Sequence, residues 1–245
     1  MKRIRFITYL AIAGSLLCFK SSLLAQSKTV NSEHLNKKEQ SIVVIASLTA
    51  IGDLNNLKTA LTEGLEAGLS INEIKEVLVH TYAYSGFPRS IRGLQTFLDV
   101  LAEREEKGIK DTVGKKASPI TDSRDKYSRG VETLEELVQA KLDGPKPAYQ
   151  QFSPEIDVFL KEHLFADIFE RDVLSYVQRE LVTISVLSAL GNLEPMLIGH
   201  FNISLNVGLS PKQLNEVVEI IKVTIGHEEA QSAQNVLTEV VNNRN

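Results

Sequence analysis

The chain has 245 residues, with 27 Lys plus Arg against 31 Asp plus Glu, a formal net charge of −4, and one cysteine. Its mildly acidic balance, with no basic run and no basic patch interleaved with aromatics, excludes nucleic acid as an expected partner. A lone cysteine, Cys18, excludes a disulfide framework.

The first 26 residues, MKRIRFITYLAIAGSLLCFKSSLLAQ, place Lys2, Arg3 and Arg5 ahead of an apolar run from residue 6 to 19 and end in small residues around Ala25. This is the pattern of a secretory signal peptide, with cleavage expected near Ala25 or Gln26. The apolar run is too short for a membrane helix, and Lys20 interrupts it. A lipid-modified reading would use Cys18, but Leu17 before it is bulkier than such a site carries. Cleavage would remove four basic residues (Lys2, Arg3, Arg5, Lys20) and no acidic one, taking the charge from −4 to −8. It would also remove the only thiol, so thiol chemistry is excluded from a periplasmic or secreted mature protein with no membrane attachment.

Residues 27–104 read as a helical module. SIVVIASLTAIG runs apolar to Gly52, Asp53 caps a helix that ends at Gly68, and Ser70 with Glu73 forms a capping box for a third helix. That helix carries Glu76, His80 and Tyr84 at four-residue spacing, on one face. An exposed Glu76–His80 pair is the plainer structural expectation for such spacing. Residues 105–126 are charged and turn-rich and read as a linker. Two further helices, SRGVETLEELVQAKL and FSPEIDVFLKEHLFADIF, separated by the loop LDGPKPAYQ, open a second module over 127–245.

The second module repeats the first at a spacing of 139 to 140 residues. Val43, Ile45, Leu48 and Gly52 recur as Val182, Ile184, Leu187 and Gly191; after a one-residue insertion Leu57, Gly68, Ser70, Glu76 and Gly86 recur as Leu197, Gly208, Ser210, Glu216 and Gly226. ELVTISVLSALG ends at Gly191, Asn192 is placed to cap the next helix, and Ser210 with Gln213 forms the next capping box, with Pro211 in its first turn. Strand signals are weak in both modules, so the predicted fold is all-α, two tandem helical modules.

Two residues of the second module stand out. His200 shares a stripe with Leu193, Met196, Leu197, Ile203 and Val207, and Glu180 opens an apolar helix twenty residues earlier. A core histidine and a carboxylate favouring the positive helix end are the structural readings of this pair.

LFADIFERDVLSYVQRELVTISVLSALGNLEPMLIGHFNISLNVGLSPKQLNEVVEII, continuing through GHEEAQSA, resembles the carboxymuconolactone decarboxylase family over residues 125–241, and EAGLSINEIKEVLVHTYAYSGFPRSI resembles the same module in the first half. Members of its peroxidase branch, the alkylhydroperoxidase D-like proteins, carry a glutamate, a Cys-x-x-Cys pair and a histidine. Here Glu180 and His200 match the outer members, while residues 192–196 hold no cysteine. Peroxidase chemistry, which needs the thiolate, is the less favoured alternative.

The decarboxylase branch implies a different chemistry, in which a carbonyl of the substrate takes the departing electrons and no cofactor or metal is needed. Histidine suits the proton transfer to carbon, because its unperturbed pKa near 6.5 allows both states. The resemblance makes His200 the candidate acid or base and Glu180 its orienting partner; Arg179 is a candidate for binding a substrate carboxylate, with a surface ion pair as the plainer role.

The first module keeps His80 and Tyr84 where the second has Ile220 and Thr224, and the second has His200 where the first has Ala60. This complementarity predicts one shared site, with His80 catalytic and Tyr84 substrate-binding. The five histidines (His34, His80, His163, His200, His227) show no paired metal-ligand spacing, so no metal site is expected. The expected partners are a small carboxylated or lactone-like molecule and further copies of the chain in a homo-oligomer. A binding or scaffold protein on the same fold is the alternative to an enzyme.

Overall fold

A computed structural model describes residues 33–244; the signal peptide expected over residues 1–26 lies outside them. The described residues are helical throughout their regular structure. In chain order they form α1 Lys37–Ile51, α2 Leu54–Glu66, α3 Ile71–Glu106, α4 Lys126–Val138, α5 Ala148–Phe152, α6 Pro154–Phe159, a π-helix Leu160–Ile168, α7 Tyr176–Leu190, α8 Glu194–Asn206, α9 Pro211–Thr224 and α10 His227–Asn242.

The internal repeat is visible element by element. α1 and α7 have 15 residues each, and α2 and α8 have 13 each. Both long helices start on a capping box, Asn36 with Glu39 and Ser175 with Gln178, so the repeat begins one turn earlier than the apolar pattern suggests. The boxes on α3 (Ser70, Glu73) and α9 (Ser210, Gln213) are both formed. α3 is two helices joined across a kink: Gly86, at φ 80° and ψ 162°, breaks it just before Pro88. A side chain would be strained at that φ. Gly226 marks the same break between α9 and α10.

Asn192 does not cap α8. It sits in the left-handed region at φ 57°, following Gly191 at φ 65°, and the cap position falls on Leu193 without a side-chain bond. The turn consumes both residues, and Pro195 near the start of α8 has no N–H to be capped.

α1 and α7 pack against each other at the centre, and each also packs on the third helix of the opposite repeat, α7 on α3 and α1 on α9. One continuous core runs through both repeats, including Ile42, Ile45, Leu57, Leu78, Leu181, Ile184, Phe201 and Val217. Burying a Leu, Ile or Phe side chain of this kind stabilises by about 1.5–3 kcal/mol.

A second, smaller core joins α4 to the π-helix through Leu137, Leu164, Phe165, Ile168 and Phe169. The two elements meet so closely at Gly130 that a Cβ there would lie 1.8 Å from the carbonyl oxygen of Lys161. Nearby, the buried Asp157 gathers the Tyr127 hydroxyl at 2.8 Å, the Lys146 ammonium at 2.7 Å and the Lys161 ammonium. Nothing in the apolar spacing of this segment marks it as a π-helix rather than an ordinary one. It lays Phe169 against the interface of α3 and α7, where the candidate residues meet. Among the described residues no helix is long and apolar enough to cross a membrane.

Candidate functional site

Because α3 of the first repeat packs on α7 of the second, Glu76, His80 and Tyr84 face Arg179, Glu180 and Thr183. The side chains of Glu76, His80, Arg179 and Glu180 are all withdrawn from solvent. The expected exposed Glu76–His80 pair is therefore not found. The two residues are joined instead through Arg179, which donates from Nη2 to Glu76 Oε1 at 2.9 Å and from Nη1 to His80 Nδ1 at 3.1 Å.

Glu76 also receives Arg171 in two parallel bonds, Nε to Oε1 at 2.8 Å and Nη2 to Oε2 at 2.9 Å. Burial alone would raise the Glu76 carboxyl, but the bonds from Arg171 and Arg179 win and hold it below the usual carboxylate range. Burial lowers the affinity of Arg179 for its proton, with Glu76 opposing that shift. A guanidinium with 0% exposure needs such a counter-ion.

A guanidinium can only donate, so His80 Nδ1 must be the bare acceptor and the ring proton sits on Nε2. Nε2 faces the Thr183 hydroxyl at 3.0 Å. Burial, then the positive charge of Arg179 and the electrostatic influence of His200, push His80 well below the ordinary histidine range. His80 is thus a neutral imidazole with both nitrogens occupied, packed against Phe169 with ring centroids 5.2 Å apart.

The Thr183 hydroxyl is the hinge of the site. It lies 3.0 Å from the Arg179 carbonyl and 3.0 Å from the Tyr84 phenol, besides contacting His80. Burial and the neighbouring Glu180 charge raise the Tyr84 phenol, so it stays protonated. The Tyr84 ring stands edge-on to His200, with centroids 6.0 Å apart.

On α8, His200 turns Nδ1 to Glu180 Oε2 at 2.9 Å. Its Nε2 has no protein partner among the described residues, and its side chain is 14% exposed. Glu180 lies in the second turn of α7, beyond the reach of the dipole that a first-turn carboxylate would feel. Its second oxygen, Oε1, is buried with no hydrogen-bond partner.

The expected apolar stripe is only half core: Leu197 and Ile203 are buried, while Met196 is exposed, which leaves His200 at the edge of the core. Thr183 joins the candidates His80 and Tyr84, and the Tyr84 ring meets His200 of the Glu180–His200 pair. Arg179 is drawn to internal partners, away from both the substrate role and the surface role considered for it.

Sequence reasoning missed Thr183, Arg171 and the function of Glu76 as a double counter-ion. Thr183 had one available signal, since it sits one helical turn after Arg179 on the face that meets α3. At the equivalent junction of α1 with α9, the corresponding residues are Gln40, Val44, Ile220 and Thr224, and they line an open cleft of about 790 Å³. Among the described residues the Arg–Glu–His network forms at the α3–α7 junction, whereas Glu216, the counterpart of Glu76, pairs with His34 at the other.

The fold and site define an all-helical tandem-repeat protein with a thiol-free Glu–His pair at a junction of its two repeats. The chain belongs to the carboxymuconolactone decarboxylase family, whose model matches residues 23–98 and 154–239, one segment in each repeat. It is also similar to an uncharacterized protein of Methanocaldococcus jannaschii, MJ1511, with 28% identity over 79 residues, covering 32% of this chain and 74% of that protein.

Proposed function

We propose that this chain is an exported enzyme that uses the Glu180–His200 pair for cofactor-free acid/base chemistry, of decarboxylase or isomerase type, on a small carboxylated or lactone-like molecule. The observation that carries this reading is the state of His200. Its Nδ1 is held by a buried carboxylate, which leaves Nε2 at the partly exposed edge with no protein partner among the described residues. This arrangement orients an imidazole for proton transfer to an outside molecule.

In the decarboxylation of a carboxylate whose α-carbon is conjugated to a carbonyl, the C–C bond to the carboxylate breaks and its electron pair moves into the carbonyl system. Carbon dioxide leaves, and His200 Nε2–H delivers a proton to carbon; the ring then regains its proton from water. Glu180 stabilises the protonated ring through Nδ1. In this reading Tyr84, kept protonated by its surroundings, supplies a phenol at the same edge for a developing oxyanion.

His80 acts at one remove as a positioning residue: neutral and buried, it sets Thr183, which sets Tyr84. With the thiol confined to Cys18 of the proposed signal peptide, a disulfide-cycling peroxidase is not the activity proposed. Homo-oligomerisation forms part of the proposal, through an apolar stripe on α3.

The test is a panel of small lactones and carboxylic acids incubated in D₂O with the mature chain, followed by NMR for carbon-bound deuterium and by carbon dioxide release, beside thermal-shift measurements. Deuterium incorporation that is lost in His200→Ala supports the reading. Ligand binding with no proton transfer on any compound would assign the chain to the binding-protein alternative.

A further inference from the structure

We propose a second binding site on this chain: the cleft lined by Asn72, Lys75, Lys116 and Arg171 takes a small oxyanion, a carboxylate or inorganic phosphate. The proposal stands apart from the reading of His200.

The cleft has a volume of about 300 Å³, and Glu76, Val79, Ala117 and Val173 complete its lining. It is a built feature. Residues 112–118 of the segment joining the repeats cross over the start of α3 and are pinned on both sides. On one side the Ile71 and Asn72 amides donate to the carbonyls of Thr112 and Val113, each at 2.9 Å, and Asn72 Nδ2 donates to the Gly114 carbonyl at 3.0 Å. On the other, Ser118 donates to Asp172 through its amide at 2.8 Å and its hydroxyl at 2.9 Å. Lys116 is carried between these two anchors.

The charge balance of the lining calls for an anion. Three cations, Lys75, Lys116 and Arg171, face one carboxylate, Glu76, and that carboxylate is already shared by two guanidiniums. Neighbouring Asp172 is taken up by Ser118 and Lys115. Among the described residues the Lys116 ammonium has no partner, Lys75 reaches only Asn72 Oδ1 at 3.4 Å, and Arg171 Nη1 has no acceptor. Such a concentration of unmatched positive charge, on a chain of net charge −4, focuses anions into the cleft. The repeat does not impose this pattern, because the positions equivalent to Lys75 and Val79 are Asn215 and Glu219.

The site also has a line to the network already described. An anion on Arg171 competes with Glu76 for that guanidinium, and any release of Glu76 is passed to Arg179, which holds His80 Nδ1. Occupancy of the cleft is therefore readable at the His80 ring.

The experiment is calorimetric titration of the mature chain with inorganic phosphate and, separately, with succinate, at ionic strength held constant with sodium chloride. It is repeated on Lys75→Ala, Lys116→Ala and the double variant, with imidazole NMR recorded in parallel. Both lysines are exposed, so the fold survives their removal. The expected result is saturable binding of at least one anion, weakened about tenfold in each single variant and lost in the double, together with a displaced His80 signal in the parent chain. Absence of saturable binding for both anions, or unchanged binding in the double variant, overturns the proposal.

Discussion

The guanidinium of Arg179 donates to Nδ1 of His80 across the junction of the two repeats, and this contact adds to burial in keeping the histidine neutral. A protonated ring would turn a second N–H toward a donor-only group in a site closed to water, so His80 stays neutral.

That neutrality predicts acid sensitivity. In the unfolded chain His80 takes up a proton below about pH 6.5, whereas the folded ring, with its pKa depressed, does not. The unfolded state then binds more protons, so the His80 contribution to stability is intact above pH 6.5 and is lost as the pH falls below it, with a slope approaching about 1.4 kcal/mol per pH unit. Urea unfolding between pH 7.5 and 5.5 checks this. His80→Gln, whose amide can accept from Arg179 and donate to Thr183, is expected to be less stable at pH 7.5 but to show a flatter pH dependence.

Glu76 and Arg171 should respond unequally to substitution. Glu76→Gln leaves Arg179 buried without a counter-charge and is expected to cost about 3–5 kcal/mol. Arg171→Gln removes a half-exposed partner and leaves the Glu76–Arg179 pair in place, so its cost should be below about 1.5 kcal/mol. Equal losses in chemical denaturation would show that the buried pair is not the element that matters.

Gly130→Ala tests the packing of α4 on the π-helix. The added methyl meets a backbone carbonyl, which cannot move aside as a flexible side chain could. A loss of about 1–3 kcal/mol is expected, measured as a lowered denaturation midpoint. Because Phe169 of this unit covers His80, the same variant should displace the His80 imidazole resonance.

Phe87, Ile91 and Leu98 stand 64%, 48% and 66% exposed on the second leg of α3, at spacings that put them on one helix face. The equivalent residues of α10 are His227, Gln231 and Thr238, which are polar. An exposed apolar stripe of this kind is the surface that the proposed self-association would bury. Ile91→Glu with Leu98→Glu is expected to reduce the mass measured by light scattering to that of a smaller species; an unchanged mass places the interface elsewhere.

Much of the helical plan was legible because it rests on local rules. The glycine stops, the capping boxes at Ser70 and Ser210 and the repeat itself are written in consecutive residues. The pairing of His200 with Glu180 was legible only through family resemblance, since twenty residues and a turn separate them. The fate of Arg179 was not legible at all. Whether an arginine faces solvent or a buried carboxylate depends on which helix covers it, and α3 lies about a hundred residues away in the chain. The π-helix was equally hidden, because its sequence carries the apolar spacing of an ordinary helix.

If both repeats build one proton-transfer site around His200, the rate of deuterium incorporation into an accepted substrate must depend on residues of each. The most direct measurement compares that rate in His200→Ala, Glu180→Gln and Tyr84→Phe. A loss of about 10²–10⁴-fold is expected in His200→Ala, with a clear, smaller loss in each of the other two, one from each repeat. Full rate in His200→Ala, or a Tyr84→Phe variant indistinguishable from the parent, would contradict the shared site.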